Sequence, residues 1–432
     1  MSTFAGFFKN KNFSLFWFSQ FISNLGDRFT QMALLTIVMI LYADTGEKIA
    51  WITFYSLLPF FIFGPVPGIL NNKLSRKKII ITIDVLRAIL VMLLPFVSRF
   101  SHPMGFIYFI IFCVGVFSAL VSSLKIAIIS NFIEKEKIIS VKPLVASSVV
   151  AATFIGVVIA GYLIKYFGPN PMFFVNAFTF LISAVMVAGI VILPGEQKGE
   201  GVSLPIGSVI KSLKDGFNFI NQHQLILRIV QLNVVLSLLS AFFYINLLNY
   251  SAIRLKLFSQ GYGILLVFLG LSLCSGAILL GRRISRLNYH NLLFVGFGII
   301  SLASVLMCFK PDFKFSVLIV ILAGAGVSLV MITLESLLER AAPDGPRLNV
   351  FMARASTANF VFLLSLIIAG KALSRFNYFH VFAFVGLVSL IIAAIIYISE
   401  IKNKKLIAEV MEDDGLIKVD PNIAIRHIIN FY

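Results

Sequence analysis

The chain has 432 residues, 59% of them hydrophobic and only 13% charged, with 44 phenylalanines and a mean hydropathy of +0.97. A soluble domain keeps roughly a quarter of its residues charged to hold a wettable surface, so soluble enzymes and disordered chains are excluded and a polytopic membrane protein remains. The balance of 36 Lys and Arg against 19 Asp and Glu, net +17, then reads as cytoplasmic loop charge rather than a nucleic-acid surface.

A helix needs about 20 apolar residues to cross the hydrocarbon core. In chain order the predicted spans are 13–42, 49–70, 79–98, 104–130, 143–164 and 171–193, then 225–253, 262–281, 291–309, 315–338, 350–370 and 378–398. The first is too long and too interrupted by polar residues for a cleavable signal and is expected to remain as a span. Between the two sets of six, Ile206, Val209, Ile210, Leu213, Phe217 and Ile220 recur at helical spacing, with Lys211, Lys214 and Asp215 on other faces. That pattern predicts an amphipathic helix on the inner membrane surface. The expected class is an all-α integral membrane protein of twelve transmembrane helices in two pseudo-symmetric bundles. Its parts are 1–194, a linker over 195–224, a second bundle over 225–398 and a tail over 399–432.

With the N-terminus cytoplasmic, the inside segments hold 22 Lys and Arg and the outside loops 9, with five inside spans. The bias predicts that both termini are cytoplasmic. The tail mixes Lys402, Lys404 and Lys405 with Glu412, Asp413 and Asp414 and carries no assigned role.

Ionisable side chains at membrane depth are costly and so mark candidate functional sites. Asp27 lies about 14 residues into the first span, roughly 20 Å along a helix rising about 1.5 Å per residue, near mid-membrane. A carboxyl there suits proton coupling or substrate contact, and Arg28 beside it is a candidate for the same roles; the alternative is a structural polar network of Asp27 with Arg28 or a neighbouring helix. Asp84 and Arg87 share a helix face three residues apart and are expected to brace a cytoplasmic gate with Arg76, Lys77 or Lys125. Glu335 and Arg354 are expected near the inner ends of their spans as a gating ion pair. Asn24 and Gln31, with Asn233, Tyr244, Asn246, Asn249 and Tyr250, line a polar cavity or else bond between helices.

Cys113, Cys274 and Cys308 lie in apolar runs and read as packing residues, and the five histidines are scattered, so no metal site is expected. The chain has no GxxxxGK[ST] loop and no GxSxG or HExxH motif; neither direct ATP drive nor an enzyme is expected, and no cofactor.

The halves echo each other. Gly68 before Lys73, Arg76, Lys77 and Lys78 corresponds to Gly276 before Arg282, Arg283 and Arg286. Lys125 corresponds to Glu335, and Lys142 to Arg354, all at offsets of 208 to 212 residues. Duplicated six-helix halves suit a transporter that rocks one bundle against the other. The run Phe16-Trp17-Phe18-Ser19-Gln20-Phe21-Ile22-Ser23-Asn24-Leu25-Gly26-Asp27 begins a set of motifs. Leu58-Pro59, Gly64-Pro65, Gly68, Arg76-Lys77-Lys78 and Asp84-Val85-Leu86-Arg87-Ala88 follow. Asp215-Gly216-Phe217 and Tyr262-Gly263 with Gly270 and Gly276 complete it. Together they resemble the major facilitator superfamily, in its drug-antiporter-like branch of macrolide-efflux and siderophore-export proteins. Two features depart from that branch. Asn71 and Asn72 stand where its 2–3 loop usually has an Asp, and Gly156 to Gly161 lacks the proline of the antiporter pattern in span 5. The resemblance implies a major facilitator fold and a monomeric bacterial inner-membrane protein working by alternating access. It also implies proton-driven export of an amphipathic small molecule. A lysophospholipid-like substrate and a non-transporting receptor on the same fold are the alternatives.

Overall fold

The structure, a computed structural model, describes residues 7–42, 45–63, 76–97, 100, 103–129, 133, 138–191, 206–281, 288–343 and 345–413. Among these residues there is no strand, as expected where the solvent is lipid and a helix satisfies its own backbone polar groups. The helices are α1 (Lys11–Leu41), α2 (Thr45–Phe63), α3 (Arg76–Val97), α4 (Pro103–Ile129), α5 (Ile138–Phe167) and α6 (Asn170–Ala188). Then come α7 (Ile206–Gln222), α8 (Gln224–Asn249), α9 (Phe258–Gly281), α10 (Tyr289–Cys308), α11 (Phe313–Ala341), α12 (Arg347–Arg375) and α13 (Tyr378–Asp413).

Leaving aside α7, twelve helices correspond to the twelve predicted spans. Nine stretches among the described residues are long and apolar enough to cross a membrane. They lie in α3 to α6, α8 and α10 to α13. In α1 the apolar pattern is broken by Asp27, Arg28 and several amides. Predicted and observed ends differ by a few residues, because polar helix ends continue past the hydrocarbon core. The largest difference is α13, which runs to Asp413 rather than 398; α12 runs to Arg375 rather than 370, α5 begins at Ile138 rather than 143, and α6 ends at Ala188 rather than 193. The span predicted over 225–253 is also not one uniform helix: after Asn249 the chain takes a π turn over Tyr250–Arg254. The predicted loop residues Asn71, Asn72 and Lys73 lie outside the described residues.

The chain forms two compact units. The first is Met1–Lys211 with Tyr244–Val267 and Leu363–Arg375; the second is Ser212–Phe243 with Phe268–Phe362 and Phe376–Tyr432. In the first unit α1 packs on α5 and α6, α3 on α4 and α6, and α2 on α4. Small residues allow the close approaches. A Cβ on Gly115 of α4 would sit 2.9 Å from Cγ of Pro59 in α2, and one on Gly370 of α12 would sit 2.5 Å from Cβ of Ala50. In the second unit α10 packs on α11 and α13, the same neighbour pattern as α3 with α4 and α6. Gly296 and Gly326 face each other there, and the Ser301 hydroxyl donates to the carbonyl of Gly386 at 2.8 Å. Small residues and short hydroxyl bonds are the usual means of joining helices in lipid.

The helix predicted over Ile206 to Ile220 is α7. Ile220 is buried, while Ile210 and Phe217 are exposed, so part of its apolar face is uncovered by protein. Gly216 of the Asp215-Gly216-Phe217 motif lies against the carbonyl of Asn349 on α12. Any side chain at 216 would strike that backbone.

Candidate functional site

Two faces of the middle of α1 carry the site. Ser23, Asp27 and Thr30 recur at i, i+4 and i+7, and so do Asn24, Arg28 and Gln31, about 100° further round. The first set faces α3 and α6. Gly26 lies against Thr179 and Asn176 of α6, which brings α1 close enough for side chains to cross.

Arg87 of α3 is the hub of that first face. Its Nη2 donates to both carboxylate oxygens of Asp27, at 3.2 and 3.0 Å. Its Nη1 donates to Asp84 Oδ1 and to Ser23 Oγ, each at 3.3 Å. The second Asp84 oxygen accepts from Ser183 Oγ of α6 at 2.8 Å. The Phe180 ring lies under the guanidinium, 3.9 Å from its carbon to the ring centroid. The Arg87 and Asp84 side chains are 4% and 1% exposed, whereas Asp27 is 27% exposed. One arginine thus serves two carboxylates in a charge-assisted, forked arrangement, sealed at Asp84 and open at Asp27. Beside it, Asn176 Nδ2 donates to Thr30 Oγ1 at 2.7 Å, and Thr179 Oγ1 donates to Asn176 Oδ1 at 3.1 Å.

The second face of α1 is held differently. Arg28 Nη1 donates to Gln31 Oε1 at 2.6 Å, and Gln31 Nε2 points to the Tyr244 hydroxyl at 3.4 Å. Tyr244 packs edge-on against the buried Tyr262, ring centroids 5.9 Å apart. Asn24 Nδ2 donates to the carbonyl of Gln20 at 2.6 Å, one turn back. Asn246 and Asn249 are buried in the same unit.

Asp27, Arg28, Asp84 and Arg87 therefore lie on two neighbouring helices, with Asp27 paired to Arg87 and not to Arg28. Asp84 has Arg87 and Ser183 as partners. Lys77 Nζ donates to the carbonyl of Ile190 at 2.8 Å and caps the end of the α6 segment. Arg76 opens α3, and the Lys125 side chain lies outside the described residues. In the second unit Arg354 Nη2 donates to Glu335 Oε1 at 3.1 Å, joining α12 to α11. Asn233 is also in that unit and buried. Ser23, Phe180 and Ser183 join the network without having been singled out in the sequence. The available signal was the polar spacing Asn176, Thr179, Ser183 within the apolar α6, which marks an interhelical face.

The Major Facilitator Superfamily model matches residues 16–357, which takes in Asp27, Asp84 and Arg87 and most of the chain. The chain belongs to this superfamily. It is a multi-pass membrane transporter and not an enzyme. It is 26% identical over 214 residues to "Uncharacterized MFS-type transporter YfiS" of Bacillus subtilis (strain 168), a match spanning 48% of this chain and 49% of that one. It thus spans about half the length of that relative. It is 22% identical to "Uncharacterized MFS-type transporter YfmI" of the same organism, covering 92% and 98% of the two chains. It is 26% identical to "Putative bacilysin exporter BacE" of Bacillus amyloliquefaciens, covering 71% and 74%. The crystal structure of the nucleoside transporter NupG superposes with a TM-score of 0.72 at 13% identity, covering 90% of this chain and 98% of that one. A likeness at that identity establishes the fold alone.

Proposed function

We propose that the protein is a proton-coupled exporter of small amphipathic molecules that works by alternating access. The observation that carries the coupling is the Asp27–Arg87–Asp84 chain, buried at one end and part-exposed at the other. While Asp27 is ionised, it shares the Arg87 fork with Asp84 and ties α1 to α3. A proton on Asp27 removes that attraction and leaves Arg87 to Asp84, so α1 is released from α3 within the first unit. Proton binding and helix movement are then linked through one carboxylate, and that link is what coupling requires. Export, rather than uptake, is supported by the similarity to a protein named "Putative bacilysin exporter BacE". The 22-to-9 bias of Lys and Arg supports cytoplasmic termini, and the Bacillus relatives support a bacterial plasma membrane. We take the monomer as the working unit and Glu335–Arg354 as a pair that opens and closes with access.

The test is flux in proteoliposomes holding the purified full chain, with a panel of labelled amphipathic compounds and an imposed pH gradient. The gradient should accelerate flux at least tenfold, and Asp27→Asn should abolish that acceleration. Equal flux with and without the gradient in the unsubstituted protein overturns the coupling. Flux of labelled lysophospholipid in place of the panel transfers the mechanism to a lipid substrate.

A further inference from the structure

We infer that Arg28 is the receptor for a single negative charge on the transported compound, a carboxylate or another monoanionic group on a small amphipathic molecule. The inference rests on the transport reading above and adds the substrate class.

The argument begins with charge. Four charged side chains occupy the central turns of α1 and α3: Asp27, Arg28, Asp84 and Arg87. Arg87 takes both carboxylates, through Nη2 to Asp27 and Nη1 to Asp84. Arg28 is left with a neutral amide: among the described residues its one hydrogen bond is from Nη1 to Gln31 Oε1 at 2.6 Å. No carboxylate of a described residue pairs with it, and its Nε is buried without a partner. An unpaired cation at membrane depth is expensive and as a rule faces a pathway or a ligand.

The surroundings fix the group rather than neutralise it. A Cβ on Gly156 of α5 would lie 3.0 and 3.1 Å from Cβ and Cγ of Arg28, so the stem rests on the one residue type that leaves it room. Gln31 turns its amide nitrogen towards the Tyr244 hydroxyl, so its oxygen faces Arg28 and orients the guanidinium. Among the described residues Nε has no partner and Nη1 is bonded to Gln31, so an acceptor brought by a ligand would complete the hydrogen bonding of the guanidinium. A guanidinium edge presents two parallel N–H groups, which match the two oxygens of a carboxylate. One uncompensated positive charge calls for one negative charge. A doubly charged phosphate monoester would bring a second charge with no cation to meet it. Tyr244, packed edge-on against the buried Tyr262, adds an aromatic ring beside the polar group, which suits an amphipathic ligand.

The test uses the full chain in phosphatidylcholine nanodiscs and a set of N-acylated amino acids and dipeptides, each paired with its methyl ester. Equilibrium binding should favour the acids over their esters at least tenfold. Arg28→Gln should reduce the acids to the level of the esters, and Arg28→Lys should keep part of the preference. The melting curve of Arg28→Gln should match the unsubstituted protein, since no ion pair is removed. Competition by lysophosphatidylglycerol, lost in Arg28→Gln, would assign the negative charge to a phosphodiester and support the monoanion site. Equal binding of acids and esters, binding of none of the anions, or a preference that survives Arg28→Gln overturns the inference. Gradient-driven flux of uncharged compounds alone would sink the anion site and leave the transport reading standing. Acid-selective binding without flux would do the reverse.

Discussion

Arg87→Met is expected to destabilise the first unit by about 3–5 kcal/mol, the loss typical when one member of a buried ion pair is removed. Methionine fills the volume and keeps contact with Phe180 but supplies no donor. Arg87 gives hydrogen bonds to Asp27, Asp84 and Ser23, so one substitution strands two carboxylates. Their fates differ. Asp27 is 27% exposed and can turn to water, whereas Asp84 is 1% exposed and among the described residues keeps only Ser183. Most of the loss should therefore arise at Asp84, and the double variant Asp84→Asn/Arg87→Met should recover more stability than Asp27→Asn/Arg87→Met. Apparent melting midpoints at one fixed scan rate measure this, with fluorescence of Trp17 and Trp51, both in the first unit. Arg87→Lys should fall between, because an ammonium offers a single point of charge where the fork reaches two carboxylates. A midpoint for Arg87→Met within a degree of the unsubstituted protein would show that the network contributes little to stability.

The helices and the network differ in how much of each can be read from sequence. Hydropathy and length place the helices because in lipid a helix is the solution open to a long apolar segment. The amphipathic α7 is legible for a related reason: its 3.6-residue period is carried by neighbouring residues. Asp27 stands out as a charge at membrane depth, and Asp84 with Arg87 as a pair on one helix face. The bond from Asp27 to Arg87 crosses 60 residues of chain, and no local period encodes it. Sequence proximity suggests Arg28 as a partner for Asp27, but adjacent helix positions point about 100° apart, and each side chain follows its own face. Glu335 and Arg354 lie only 19 residues apart on consecutive helices, and the repeat offset already brings them into correspondence with the first half. Ser183 belongs to a polar spacing that marks an interhelical face of α6, but its bond to Asp84 and the contact of Phe180 with Arg87 come only from the packing of α6.

Gly26→Ala is expected to cost about 3 kcal/mol, at the upper end for overpacking, although it adds one methyl group to a good helix former. Propensity alone predicts the opposite sign, since Ala in a helix interior is favoured over Gly by about 1 kcal/mol. Contact decides against propensity here. The added Cβ would collide with Thr179 Oγ1 and Asn176 Oδ1 and lie 3.0 Å from Thr179 Cβ. Those atoms are not the free ends of flexible chains, because Asn176 is bonded to Thr30 at 2.7 Å and Thr179 to Asn176 at 3.1 Å. Relief requires α1 to move off α6, and α1 carries Asp27 in the very next position. Its bonds to Arg87, at 3.0 and 3.2 Å, would lengthen with that movement, so gradient-driven flux should fall together with the melting midpoint. Thr179→Ala removes the nearest clashing oxygen, and Gly26→Ala/Thr179→Ala should recover at least half of the lost stability. Independent sites would give additive losses; strict additivity in this cycle would mean that Gly26 acts elsewhere than at the α1–α6 contact.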